Sequence, residues 1–389
     1  MTLRSHRALV ALALTGSALV VAAPAEAASF CNGHRATIVG TSGDDTIAGT
    51  PRRDVIVTLG GSDQIDGRGG DDVICAGNGD DRLYGSTGND VLLGQGGADT
   101  FHDGPGNDVV KPGPSTFVYV AIFLEYRGVS ARSFTMPGMK DVVHAEPGDD
   151  TVTGSGYLID FSAAPRGVRF NMATGVARGM GRDVIRGAQD VLGSRYADRV
   201  TGSKLQDVIE TGRGRDVILG EGGGDVIDGG MGRDLIRGGT GADFAFLFQD
   251  DADLGAGPDY AFAFRSDVAG GDGDDVVVAV GTSTLSGGAG SDTLALESDE
   301  FDAGVVADLN TGLSSTGATF SGFENLQGGQ GDDILTGDDG ANTLWGGNGD
   351  DVLVGGAGDD TLFGNEGEDS ADGGDGTDTC NAELETTCE

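Results

Sequence analysis

One residue type keeps a fixed phase through most of this chain, and that phase limits the fold more than any other feature. Asp45, Asp54, Asp63, Asp72, Asp81, Asp90, Asp99 and Asp108 follow one another at nine-residue steps without a slip. Two residues after each stands Ile47, Ile56, Ile65, Ile74, Leu83, Leu92, Phe101 or Val110. A second block, Asp198, Asp207, Asp216, Asp225, Asp234 and Asp243, follows the same step, mostly with an aliphatic residue two positions on. A third runs Asp333, Asn342, Asp351, Asp360, Asp369 and Asp378. Composition bias scatters Gly-Asp pairs, but it does not hold an acid and an aliphatic residue in one phase over eight rows. A short fixed period marks a repeat architecture, in which each unit buries its apolar face only against its neighbours.

The glycines keep the same register. Complete G-G-x-G-x-D units end at Asp234, Asp243, Asp275, Asp292, Asp333, Asp351, Asp360 and Asp378. This nonapeptide, G-G-x-G-x-D-x-U-x with U aliphatic, resembles the RTX, or haemolysin-type, calcium-binding repeat. The resemblance covers most of residues 41 to 112, 193 to 248 and 328 to 380. It implies an all-β fold, a right-handed parallel β-roll or β-solenoid in which two nonapeptides make one coil and multiple Ca2+ ions lie between successive turns. It also implies the ligands. These would be the repeat aspartates Asp45, Asp63, Asp72, Asp81, Asp90, Asp99, Asp108, Asp216, Asp225, Asp234, Asp243, Asp275, Asp292, Asp333, Asp351, Asp360, Asp369 and Asp378. Backbone oxygens of the turn glycines Gly230, Gly232, Gly239, Gly241, Gly329, Gly331, Gly347, Gly349, Gly356 and Gly358 would join them.

Elementary physics agrees with that implication. Glycines permit the positive φ of a tight turn, and the x-U-x triplet makes a very short strand with U inward. Two rows close a coil, so residues 18 apart stack at about 4.8 Å, Asp72 on Asp90 and Asp81 on Asp99. A carboxylate ladder at that spacing is repulsive, by about 1 kcal/mol per pair in water and several times more at an effective dielectric near 20. A bridging cation reverses the sign. Calcium accepts about six to eight oxygens in a forgiving geometry, whereas magnesium holds its waters and zinc favours nitrogen or sulfur. If each ion bridges rows two apart, the first block offers about six sites and each later block about four. Some rows should fail: Pro51-Arg52-Arg53 precedes Asp54, Tyr196 and Leu205 replace a turn glycine before Asp198 and Asp207, and Asn342 carries no charge. Without metal the chain should be largely unfolded.

Composition narrows the partners. The formal charge is -39, with 73 glycines and 6% aromatic residues, so nucleic acid is excluded as a partner and cations are favoured. Arg4 and Arg7, the apolar stretch Ala8 to Ala23 and Ala25-Glu26-Ala27 make a secretory leader, with the mature chain beginning near Ala28 or Ser29. No later run reaches transmembrane length. Cys31, Cys75, Cys380 and Cys388 leave three pairings open in an oxidising destination; an elongated array, whose ends lie far apart, favours Cys31 with Cys75 and Cys380 with Cys388.

The chain divides into a leader (1–28), a first repeat block with its N-terminal cap (29–112), an irregular β segment and insert (113–192) and a second block (193–248). An aromatic and acidic excursion with isolated repeats and a second insert (249–327) precedes a third block with a disulfide-bounded tail (328–389). Within these, Phe117 to Leu124 is expected as a buried strand closing the first roll. Phe244, Phe246 and Phe248 with Tyr260, Phe262 and Phe264 are expected as two strands of a packed excursion around the Gly255–Pro258 turn. Gly167–Gly175 and Gly304–Gly312 resemble each other and are expected to widen the coil. There is no H-E-x-x-H and no G-x-S-x-G, and His34, His102 and His144 are scattered singly, so an enzyme is not expected. The expectation is a secreted, extracellular, monomeric calcium-binding protein that folds on its ions; the alternative is a calcium-stiffened adhesion or matrix protein at the cell surface.

Overall fold

The computed structural model describes residues 30–113, 119–122, 125–126, 129–130, 134–137, 141–298 and 303–388. The leader therefore lies outside the described residues, as do Phe117, Val118, Phe123 and Leu124.

Short strands separated by glycine turns stack in parallel at the coil repeat. On one side Val55–Val57 pairs with Val73–Asn78, that with Val91–Gly96, and that with Val109–Lys111. On the facing side Gln64–Asp66, Arg82–Tyr84 and Thr100–His102 do the same. Register sets each residue beside its counterpart one coil on, so Ile56, Ile74, Leu92 and Val110 form one file and Ile65, Leu83 and Phe101 the other. All seven are fully buried. Alternation along a three-residue strand leaves one inward side chain, so the core is a narrow double file running the length of a β-solenoid. Among the described residues no helix interrupts it.

The breaks in period are handled in three ways. Thr100–His102 pairs directly with Val142–His144, and Val109–Lys111 with Thr151–Asp160, so the coil passes over 113–140 and the phase restarts at Asp141 and Asp150. The described part of the apolar run there, Tyr119–Ile122, does not close the roll but runs antiparallel to Phe134–Pro137 in a two-stranded sheet outside the main one. Near the middle the coil shortens instead. Phe244–Phe248 and Tyr260–Phe264 lie in parallel register as successive coils, with Asp251–Ala256 passing between them on the facing side. The aromatic segment is thus no excursion. Its row from Asp243 to Asp250 spans seven residues and turns through Gln249 at φ 66° rather than through a glycine. Phe244 stacks on Tyr260 at 5.1 Å and Phe248 on Phe264 at 4.9 Å.

The two similar inserts widen the coil with an antiparallel hairpin each. Arg169–Asn171 pairs with Val176–Arg178, and Val306–Asp308 with Leu313–Ser314. In both, the first strand starts a column, pairing in parallel with Arg199–Thr201 or Ile334–Thr336.

Cys31 is bonded to Cys75 and Cys380 to Cys388. The first bond seats the N-terminal hairpin of Phe30–Cys31 and His34–Arg35 over the outward-facing Val55, Val57 and Val73. Two of the histidines that look scattered in the sequence meet: His102 stacks on His144 at 4.2 Å, and His144 Nδ1 lies 2.8 Å from an Asp160 carboxylate oxygen.

Candidate metal centre

Each repeat aspartate points along the solenoid axis at its neighbour. The backbone N–H of Asp54 donates to Oδ1 of Asp72 at 2.7 Å, that of Asp72 to Asp90 at 2.7 Å, and that of Asp90 to Asp108 at 2.6 Å. The facing edge repeats this through Asp45, Asp63, Asp81 and Asp99, and later columns through Asp198, Asp216 and Asp234 or Asp351 and Asp369. One carboxylate oxygen of each row is thereby satisfied. The other decides the chemistry.

Of the aspartates expected as ligands, all but Asp45 and Asp333 hold Oδ2 buried with no hydrogen-bond partner. A buried acceptor left unpaired costs about 1–3 kcal/mol, and a charged one more. Asp45 and Asp333 differ because Oδ2 accepts the backbone N–H of the residue four positions earlier, Thr41 at 2.6 Å and Gly329 at 2.7 Å. The rows expected to fail share that arrangement: Thr50 N–H reaches Asp54 at 2.6 Å, Ser194 reaches Asp198 at 2.7 Å, Ser203 reaches Asp207 at 2.6 Å, and Asp338 reaches Asn342 Oδ1 at 2.7 Å.

The sign of φ at that fourth residue separates the two kinds of row. It is positive at Gly77 (112°), Gly104 (91°), Gly356 (112°) and Gly374 (97°), before Asp81, Asp108, Asp360 and Asp378. It is positive also at non-glycine residues, Leu59 (80°), Arg68 (73°), Ser86 (73°) and Gln95 (75°), before Asp63, Asp72, Asp90 and Asp99. Thr41, Thr50, Ser194, Ser203 and Gly329 are not among the positive-φ residues. A left-handed residue turns its N–H away from the carboxylate, whereas an ordinary φ, which β-branched threonine enforces, turns it inward. Leu59 and its like are strained, and strain of about 1–3 kcal/mol per residue gathers where a site needs it. Leu59→Gly, at a half-exposed position, is expected to stabilise the folded protein by about 1 kcal/mol. The check is a higher melting temperature in saturating calcium with an unchanged ion count.

Turn carbonyls supply further oxygens. A Cβ at Gly349 would strike the carbonyl oxygen of Gly331, and one at Gly374, Gly376, Gly255 or Gly257 that of Gly356, Gly358, Gly239 or Gly241. Others lie beside the carboxylates: a Cβ at Gly220, Gly270 or Gly355 would meet both Oδ2 of Asp225, Asp275 or Asp360 and the carbonyl oxygen of Gly238, Gly287 or Gly373 one coil on. Burial first, and neighbouring carboxylates after it, push Asp72 and Asp351 up to about 7 and Asp99 and Asp225 up to about 8. Orphaned carboxylate oxygens and aligned carbonyls, donors that are all oxygen, suit a hard divalent cation of calcium's size.

The columns also contain members that the nine-residue count does not reach. Asp99 N–H donates to Asp141 Oδ1 at 2.8 Å and Asp108 N–H to Asp150 at 2.9 Å. Asp243 N–H donates to Asp259 at 2.8 Å, and Asp292 N–H to Glu324 at 2.8 Å. Asp103 stands where a turn glycine is usual, and it, Asp108 and Asp150 each place a carboxylate oxygen within 4.8 Å of the others. All three are buried.

The profile of the RTX calcium-binding nonapeptide repeat matches residues 39–74, 76–110, 184–245 in four overlapping registers, 280–299, 319–353 and 345–380, more than half of the chain. The chain belongs to that family. No curated protein matches it. Among solved structures it is similar to a hyperactive, Ca2+-dependent, β-helical antifreeze protein from an Antarctic bacterium, at 16% identity over 85% of this chain and 83% of that one. The TM-score is 0.18, and at that score the likeness says nothing of what this RTX chain binds.

Proposed function

We propose that this RTX protein is a secreted calcium-binding solenoid whose act is to bind several Ca2+ ions and to fold as it does so. The observation that carries this reading is the file of buried Oδ2 atoms without partners. A calcium ion supplies the positive charge and the ligand demand that these oxygens lack. The chain's part is to hold one oxygen of each carboxylate by a backbone N–H, keep the other turned to the axis, and line the same turns with carbonyls. The two disulfides suit an oxidising compartment outside the cell.

Ion counting by equilibrium dialysis tests the assignment row by row. Asp90→Asn removes a charge from a row whose Oδ2 is an orphan and should lower the stoichiometry by about one or two ions, since each carboxylate borders two turns. Asp54→Asn, in a row whose Oδ2 is already bonded by Thr50, should leave the count unchanged. Equal counts for the wild type and both variants would overturn the reading.

A further inference from the structure

Half of the chain's 24 lysines and arginines fall between residues 166 and 237, although the chain as a whole is strongly acidic. Many of the acids in that stretch are ladder aspartates such as Asp198, Asp216, Asp225 and Asp234, buried within the solenoid. Its outer surface is therefore cationic. The first insert concentrates this charge. Arg169 is the antiparallel partner of Arg178 and the parallel partner of Arg199, so three arginines sit side by side on adjacent strands. All three are exposed, and among the described residues none lies within salt-bridge distance of a carboxylate. They line a shallow cleft of about 380 Å3 with Asn171 and Thr201, over the buried ring of Phe170.

Three adjacent guanidinium groups repel one another, and a fold does not gather them without cause. The second insert shows that the hairpin does not need them. Val306 pairs with Ser315 through a 2.8 Å hydrogen bond and with Ile334 in parallel register. These three residues occupy the positions of Arg169, Arg178 and Arg199. Asp308 stands where the first insert has the neutral Asn171. One chain thus carries the same hairpin twice, once with three cations and no acid, and once with an acid and no cation.

We propose that the Arg169–Arg178–Arg199 cleft is an anion site for a phosphate ester. Arginine presents donors in a planar fork that matches phosphate oxygens two at a time, and three of them suit a charge larger than one carboxylate offers. Asn171 and Thr201 add an amide and a hydroxyl at the rim. The acidity of the rest of the chain does not forbid this, because at physiological ionic strength charges beyond about 8 Å are largely screened.

The test uses the full chain with calcium present throughout. Glycerol phosphate in solution is one probe and vesicles containing phosphatidylglycerol the other, which separates a free phosphate ester from a lipid headgroup. The variant R169V/R178S/R199I grafts the second insert's own residues, so its circular dichroism should match the wild type. Binding to one probe or both is expected for the wild type, weakened about tenfold or more in the variant. R169K/R178K/R199K, which keeps the charge and loses the fork, should fall between them. Absence of binding to both probes, or binding that the graft leaves undiminished, would overturn the proposal.

Discussion

Stripped of calcium at pH 7.5, the purified protein is expected to lose most of its β-sheet circular dichroism and nearly all slow amide exchange. Magnitudes decide this. A folded domain holds a net stability of about 5–15 kcal/mol. Each buried acceptor without a partner costs about 1–3 kcal/mol, so several orphan Oδ2 atoms exceed that total before ladder repulsion is added. Each row gains one fully buried aliphatic side chain, such as Leu83 or Leu353, worth about 1.5–3 kcal/mol, which ordering a row's backbone at about 1–2 kcal/mol per residue already consumes. Neither disulfide offsets the loss, since one ties down the N-terminal hairpin and the other the last turns. Restored calcium should bring the signal back cooperatively, each bound ion ordering the turns on either side. Magnesium at the same concentration should not, because it demands a smaller octahedron and gives up its waters reluctantly. A β-sheet spectrum unchanged in excess chelator would sink the coupling of folding to the ion.

How legible this was depended on whether the chain's own arithmetic held. Wherever glycine turns kept nine residues per row, as from Asp63 to Asp108, the inward file of Ile65, Ile74, Leu83, Leu92, Phe101 and Val110 could be written from the sequence. The aromatic stretch defeated the count because its rows shrink to seven residues and turn at Gln249 and Arg265, which adopt φ of 66° and 54° in place of glycine. A period search keyed to glycine sees an excursion there, although the chain keeps coiling. Asp141 and Asp150 were hidden by the segment at 113–140, which shifts the phase without breaking the pairing. The difference between Asp45 and Asp63 was visible in principle. Thr41 four residues before the first resists a left-handed backbone, but its effect is a single N–H direction that only the folded turn displays. Asp333 had no such signal, since Gly329 is free to take either sign of φ. The histidine stack was illegible for a simpler reason, because His102 and His144 are neighbours only once 113–140 is passed over.

Acid is expected to replace calcium. Burial raises Asp72 to about 7, Asp81 to about 6, and Asp99 and Asp225 to about 8, from 3.8 in the unfolded chain. A group raised on folding keeps its proton in the fold at a pH where the unfolded chain has released it. Its contribution without metal is therefore present in full below about pH 4 and is lost as the pH climbs through roughly 6 to 8. One pKa unit is about 1.4 kcal/mol, so even a single unit at each of several rows rivals the whole stability of a domain. Protonation also turns Oδ2 from an orphan acceptor into a donor beside the turn carbonyls, the same satisfaction that a cation gives by another route. The chelated protein should accordingly gain β-sheet signal as the pH falls from 8 to 5, and added calcium should change the spectrum far less at pH 5 than at pH 8. Falling net charge is the rival cause, and concentrated potassium chloride separates the two. At 1 M it shortens the screening length to about 3 Å and blunts surface repulsion, yet leaves every Oδ2 unpaired. If that salt folds the chelated chain at pH 8 as well as acid does, repulsion and not the orphan oxygen is what calcium relieves.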